Sequence, residues 1–277
     1  MKKQSIPFGY GLGVAVAGLI TSCLMISGAQ AATEDLLKAS DQAVNTSYVR
    51  ARFGRIQNKA FQASDPRKKL LIIGDSQAQD FVNSAMEHDY LKNYQVRTRH
   101  IPAQCQLFLG KAADSGVASK DEALCKKVES LTSSKPQIEN ADVIVFASLW
   151  RSWAVKHLPQ TIKNLALRDD QTLIVIGRKS FGRISIRHYL RLSDEQRKAL
   201  RNPINAQFLS DNQLLKRQLP AAMFVDQYAS VCGAGQRTCP VFTPDAQLIS
   251  FDGGHLTKAG ARFVGERIFS TPALSNL

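Results

Sequence analysis

Long apolar runs, internal repeats and metal-ligand spacings are what this chain of 277 residues has least of. Outside residues 8–26 no stretch is apolar enough to cross a bilayer as a helix, so the remainder reads as a globular domain. The absence of any repeat or low-complexity tract excludes a solenoid. There are five cysteines, and no histidine stands at ligand spacing from a cysteine pair, which argues against a metal centre. No organic cofactor is indicated either. The formal net charge is +13, yet the basic residues are spread along the chain, with no RNA-binding signature and no aromatic–basic repeat. That pattern favours an acidic glycan or an anionic envelope surface over nucleic acid, or simply a solvated basic exterior.

The start of the chain has the features of a targeting segment. Met1-Lys2-Lys3 supplies positive charge, residues 8–26 are largely apolar, and Ala29-Gln30-Ala31 offers a small-residue cleavage site. Residues 1–31 are therefore expected to be a signal peptide, with a periplasmic or secreted bacterial product, or a membrane-anchored one if the segment is not cut. Removal would take Cys23 and two lysines with it. The four cysteines left, Cys105, Cys125, Cys232 and Cys239, suggest two disulfides in an oxidising compartment, with three connectivities open. Cys232 and Cys239 are near enough to clip one loop; Cys105 with Cys125 would close another.

The chemistry gathers at two places. Leu70-Leu71-Ile72-Ile73 reads as a buried strand, Gly74-Asp75 as a sharp turn, and Ser76 as the first residue of a helical pattern (Ala78, Phe81, Val82, Ala85, Met86). A serine so placed stands above the carboxyl edge of a sheet, where open α/β sheets bind ligands. The turn aims backbone N–H groups at a developing oxyanion. Near the other end, Asp252-Gly253-Gly254-His255 precedes a helix-like stretch over residues 258–269. A histidine three residues after an aspartate can accept a serine proton while the carboxylate fixes its tautomer.

Gly74-Asp75-Ser76 after a strand, with Asp252-x-x-His255 before the last helix, resembles the SGNH (GDSL-type) hydrolase superfamily. Phe251-Asp252-Gly253-Gly254-His255-Leu256-Thr257-Lys258-Ala259-Gly260-Ala261 is similar to the closing motif of SGNH domains associated with bacterial polysaccharide O-acyltransferases. The resemblance implies a three-layer α/β sandwich on a five-stranded parallel sheet, flavodoxin-like, over residues 67–277, with residues 32–66 as an N-terminal helical extension. It implies Ser76 as nucleophile, His255 as base and Asp252 as its orienting carboxylate, and a separate membrane acyltransferase as a partner if the reaction is transfer.

Strands are expected at residues 69–73, 94–100, 142–148, 172–177 and 222–226, and helical stretches at 48–61, 194–202 and 204–218. The family's oxyanion glycine and its Gly-x-Asn-Asp block are absent. Pro102-Ala103-Gln104-Cys105 and Leu149-Trp150-Arg151-Ser152-Trp153 stand in their places. Asp75, Trp150 and Arg151 are accordingly candidates for oxyanion or substrate contacts, the tryptophans being either core or the wall of an acceptor-sugar site. The loop Arg178-Lys179-Ser180-Phe181-Gly182-Arg183 would bring positive charge near Ser76, unless it is merely solvated. Two functions fit: an exported serine acyltransferase or esterase acting on O-acyl groups of an envelope or secreted polysaccharide, acidic or neutral, or a non-catalytic glycan-binding or scaffold protein that keeps the fold.

Overall fold

Leu70, Leu71, Ile72 and Ile73 have no accessible surface at all, and a strand buried on both faces must lie inside a parallel sheet with helices on each side. In the computed structural model, which describes residues 34–277, this is strand β1 (Lys68–Gly74) at the heart of a parallel sheet with β2 (Tyr94–His100), β3 (Val143–Ala147), β4 (Thr172–Ile176) and β5 (Phe224–Val225). The strand order is β2-β1-β3-β4-β5, five strands, and every pairing is parallel. The expected signal peptide, residues 1–31, lies outside the described residues.

Alternation along β1 sorts the two cores. Leu70 and Ile72 face a layer containing Phe53, Phe81, Val82 and Val264, which come from helices α1 (Gln42–Ile56), α2 (Ser76–Met86) and, near the C-terminus, Lys258–Ile268. Leu71 and Ile73 face Leu131, Ile138, Val155, Leu158 and Leu215, from α3 (Leu131–Glu139), α4 (Ser152–Leu165) and α5 (Ala206–Gln218). The C-terminal helix Lys258–Ile268 is α6. The result is the expected three-layer sandwich. Gly74 is required where β1 ends, since a Cβ there would lie 1.8 Å from the Ala147 carbonyl oxygen of β3.

The structure shifts the bounds of two expected helices. Helix α1 begins at Gln42, where the Asp41 side chain accepts from the backbone N–H groups of Ala43 and Val44. It stops at Ile56, short of the expected residue 61, and Asn58 turns the chain with a left-handed φ of 56°. The helix expected to run to Asn202 ends at Ala199, and Arg201–Pro203 pairs antiparallel with Thr238–Pro240 instead. Both disulfides, Cys105–Cys125 and Cys232–Cys239, are formed.

Helix α1, which lies within the expected extension, is built into the core. Phe53 is fully buried, Asn83 of α2 donates to the Tyr48 and Val49 carbonyls, and Thr98 of β2 donates to the Phe53 carbonyl. Phe53→Ala is therefore expected to cost about 3–5 kcal/mol in urea unfolding, whereas a detachable extension would lose almost nothing.

Candidate active site

The turn after β1 delivers Ser76 to the first position of α2, and Asp75 caps that helix. The Asp75 carboxylate accepts from Gln77 N at 2.8 Å, Ser148 Oγ at 2.8 Å and Leu149 N at 2.8 Å. The residue is 2% exposed, and burial pushes the pKa of its carboxyl up against those hydrogen bonds. Asp75 thus ties the ends of β1 and β3 together and has no free face for an oxyanion or a substrate. The Asp75 carbonyl oxygen accepts from Ala78 N and Gln79 N. Of the first-turn donors, the Ser76 N–H is left without an acceptor among the described residues, at the positive end of the helix dipole.

The second half of the site comes from the loop before α6. Gly253 adopts a φ of 93° there, and a Cβ on it would stand 2.0 Å from the Gly182 carbonyl oxygen, so the turn demands glycine. The turn folds Asp252 back on its own chain: Asp252 Oδ1 accepts from Gly254 N at 2.8 Å and His255 N at 2.7 Å, and Oδ2 lies 2.6 Å from His255 Nδ1. His255 Nε2 is 2.8 Å from Ser76 Oγ. Burial opposes ionisation of Asp252, but the hydrogen bonds from the His255 ring and from the two backbone N–H groups prevail and hold its pKa at about 2. The bond to Asp252 raises the pKa of His255 above its ordinary 6.5, against the opposing effect of burial. The imidazole keeps 31% of its side-chain surface and Asp252 keeps 30%, so solvent and small reagents reach the pair. The Phe251 ring stacks beside His255, with centroids 6.0 Å apart.

These groups open into a cleft of about 480 Å³ whose lining includes Ser76, Gln79, His100, Phe251, Asp252 and His255. A second cleft of similar volume, at Asp35, Lys38, Asp194, Arg197, Asp245 and Lys258, has mixed charge and no nucleophile beside a base. Chemistry, and not size, distinguishes the first. His100 closes one side as a strand-end residue, and burial lowers its pKa.

Other residues singled out in the sequence lie elsewhere. Trp150 has no accessible surface and donates its indole N–H to the Ile176 carbonyl at 2.8 Å; it is a core residue and walls no sugar. Arg151 has an exposed side chain, and its backbone N–H donates to Gln106 Oε1 at 2.8 Å; nothing holds its guanidinium toward Ser76. The first two cations of the basic loop turn inward, while Arg183 stays exposed. Arg178 pairs with the buried Asp211 and lies over the Phe208 ring, 3.6 Å from its centroid.

Lys179 is 3% exposed and contacts Asp80 Oδ2 at 2.7 Å, Gln77 Oε1 at 2.6 Å and the Gly254 carbonyl at 2.8 Å. Asp80 Oδ1 accepts from Leu256 N at 3.2 Å. This pair clamps α2, which carries Ser76, to the loop that carries His255. Sequence reasoning missed Asp80. Its signal was an acid within the apolar face of a helix, with no cation three or four residues away to pair with it.

The parallel α/β sandwich and the serine–histidine–aspartate chain at the sheet's carboxyl edge define a hydrolase of the esterase and acyltransferase kind. The sequence matches the family described as SGNH domain (fused to AT3 domains) over residues 41–269, and the chain belongs to that family. Among curated proteins no relative matches.

Replacing Lys179 by methionine should strand the buried Asp80 carboxylate and cost about 3–5 kcal/mol. The double variant Asp80→Asn/Lys179→Met should recover much of that loss, as read from paired urea titrations.

Proposed function

We propose that the protein is an exported serine O-acyltransferase or esterase that acts on O-acyl groups, chiefly O-acetyl, of an envelope or secreted polysaccharide. The observation that carries this reading is the unbroken chain Ser76 Oγ to His255 Nε2, 2.8 Å, and His255 Nδ1 to Asp252 Oδ2, 2.6 Å. Ser76 Oγ attacks the acyl carbonyl carbon while His255 takes the hydroxyl proton, and Asp252 stabilises the imidazolium. The Ser76 N–H at the head of α2 receives the oxyanion. Collapse of the tetrahedral intermediate breaks the bond to the leaving alkoxide, which collects the proton from His255. The acyl group then rests on Ser76. A sugar hydroxyl or water, deprotonated by His255, attacks the acyl-serine, and the serine oxygen regains the proton.

The family's fusion to AT3 domains supports transfer, with a membrane acyltransferase as donor. No helix among the described residues is long and apolar enough to cross a membrane, so that donor would be a separate chain or a segment outside them. The charged start of the sequence and the two disulfides support an exported location.

Ser76→Ala and His255→Ala should each lower turnover of p-nitrophenyl acetate by at least about 10³-fold and abolish labelling by a fluorophosphonate. A folded parent with neither turnover nor labelling would instead be a glycan-binding protein that keeps the fold. Acetylation of an added sugar acceptor decides for transfer over hydrolysis.

The base must be neutral to accept the serine proton, and the His255 pKa is raised above 6.5. The acid limb of the kcat/KM profile should therefore lie above that value, with activity lost as pH falls through it. In Asp252→Asn the raising bond is gone, so the limb should move to lower pH while the remaining rate drops. A limb that stays in place would remove Asp252 from the assigned role.

A further inference from the structure

Helix α1 carries two stripes of different chemistry. Asn45, Val49 and Phe53, four residues apart, are buried. Gln42, Thr46, Arg50 and Gly54, at the same spacing one step round the helix, line the cleft that contains Ser76 and His255, with Gln57 following them. This second stripe offers amide, hydroxyl and guanidinium groups and a bare backbone. Arg50 is exposed and makes no ion pair among the described residues, whereas Arg52 on the same helix is paired with Glu87 at 2.8 Å. The one carboxylate in the cleft is Asp252, which His255 already engages.

Gly54 is the telling residue. A glycine inside a helix weakens it relative to alanine, and a Cβ built on Gly54 meets no heavy atom within 4 Å. Nothing in the protein excludes a side chain there; what the glycine preserves is open space beside the reacting groups. Bare backbone of this kind suits the close approach of a ligand.

We infer that the Gln42–Thr46–Arg50–Gly54 face of α1 is the glycan-binding wall of the cleft, and that Arg50 selects a polysaccharide bearing carboxylates. This deepens the proposed function and rests on it for the identity of the reaction. The amides and the threonine hydroxyl match sugar hydroxyls. The guanidinium fork matches a uronate carboxylate with two parallel hydrogen bonds, and the chain runs past Gly54 to present an O-acyl group, or a free hydroxyl, to Ser76. The inward turn of Arg178 and Lys179 leaves this task to α1.

The test measures binding directly, by calorimetry, with oligogalacturonate and with the same oligomer after its carboxylates are reduced to alcohols. The parent should bind the charged oligomer roughly tenfold more tightly, the value of one charge-assisted contact. Arg50→Gln should erase that preference, whereas Arg168→Gln, at the opposite end of the sheet, should keep it. Gly54→Leu should weaken both oligomers without lowering the melting temperature. Equal binding of the two oligomers by the parent, or a preference that survives in Arg50→Gln, overturns the inference. The same is true of unchanged affinities in Gly54→Leu. Turnover of p-nitrophenyl acetate is read separately: a protein that turns it over but shows no preference loses this subsite alone. One that shows the preference without turnover keeps the subsite and loses the enzymatic reading.

Discussion

A buried ion pair between Lys179 and Asp80 is the constraint on which the geometry of the site depends. Two charges this far from water are costly to bury, and they persist only when every remaining hydrogen-bonding position is filled. Here the ammonium group has three acceptors, Asp80, Gln77 and the Gly254 carbonyl, and the carboxylate has a second donor in Leu256 N. The partners belong to three separate stretches of chain: α2, the loop after β4, and the loop before α6. Satisfying the pair therefore fixes the distance between the head of α2 and the histidine loop. The 2.8 Å contact between Ser76 and His255 follows from that distance.

The same economy governs the sheet edge. Asp75 is spent on joining β1 to β3, Trp150 on covering β4, and Gln106 on joining the loops after β2 and β3, where it bonds the Leu149 carbonyl and the Arg151 N–H. Polar groups along this edge thus serve to hold loops. The groups left free to meet a ligand come largely from α1, which reaches the site from outside the sheet and closes one of its walls. Its burial by Phe53 and its polar stripe are two faces of one helix: the first anchors it, and the second is what the anchoring presents.

Much of this was readable along the chain. All five strands were placed, because runs such as Leu70 to Ile73 and Val143 to Phe146 are continuously apolar and bounded by turn residues. Ser76, Asp252 and His255 were legible as candidates because each lies in a short motif whose neighbours build its turn: Gly74 at a close approach, Gly253 at a left-handed φ. The two disulfides join cysteines adjacent in order, one of the three connectivities that the chain left open. The failures have a common cause. Trp150 was left between core and sugar wall, and the Arg178-Lys179 loop between charge near Ser76 and a solvated turn, since an aromatic or a cation shows its chemistry in sequence but not its partner. Arg50 drew no notice for the same reason.

Hydrophobic period, turn chemistry and capping act over a few residues, so strand positions, the serine turn and the histidine loop could be recovered from the chain alone. The partner of Asp80 is 99 residues away, and the cleft wall of α1 belongs to a segment that the sequence left open between core and extension. Such assignments required the packed molecule, because the sign and cost of a buried charge, and which face of a helix stays uncovered, are set by elements that meet only when the sheet closes.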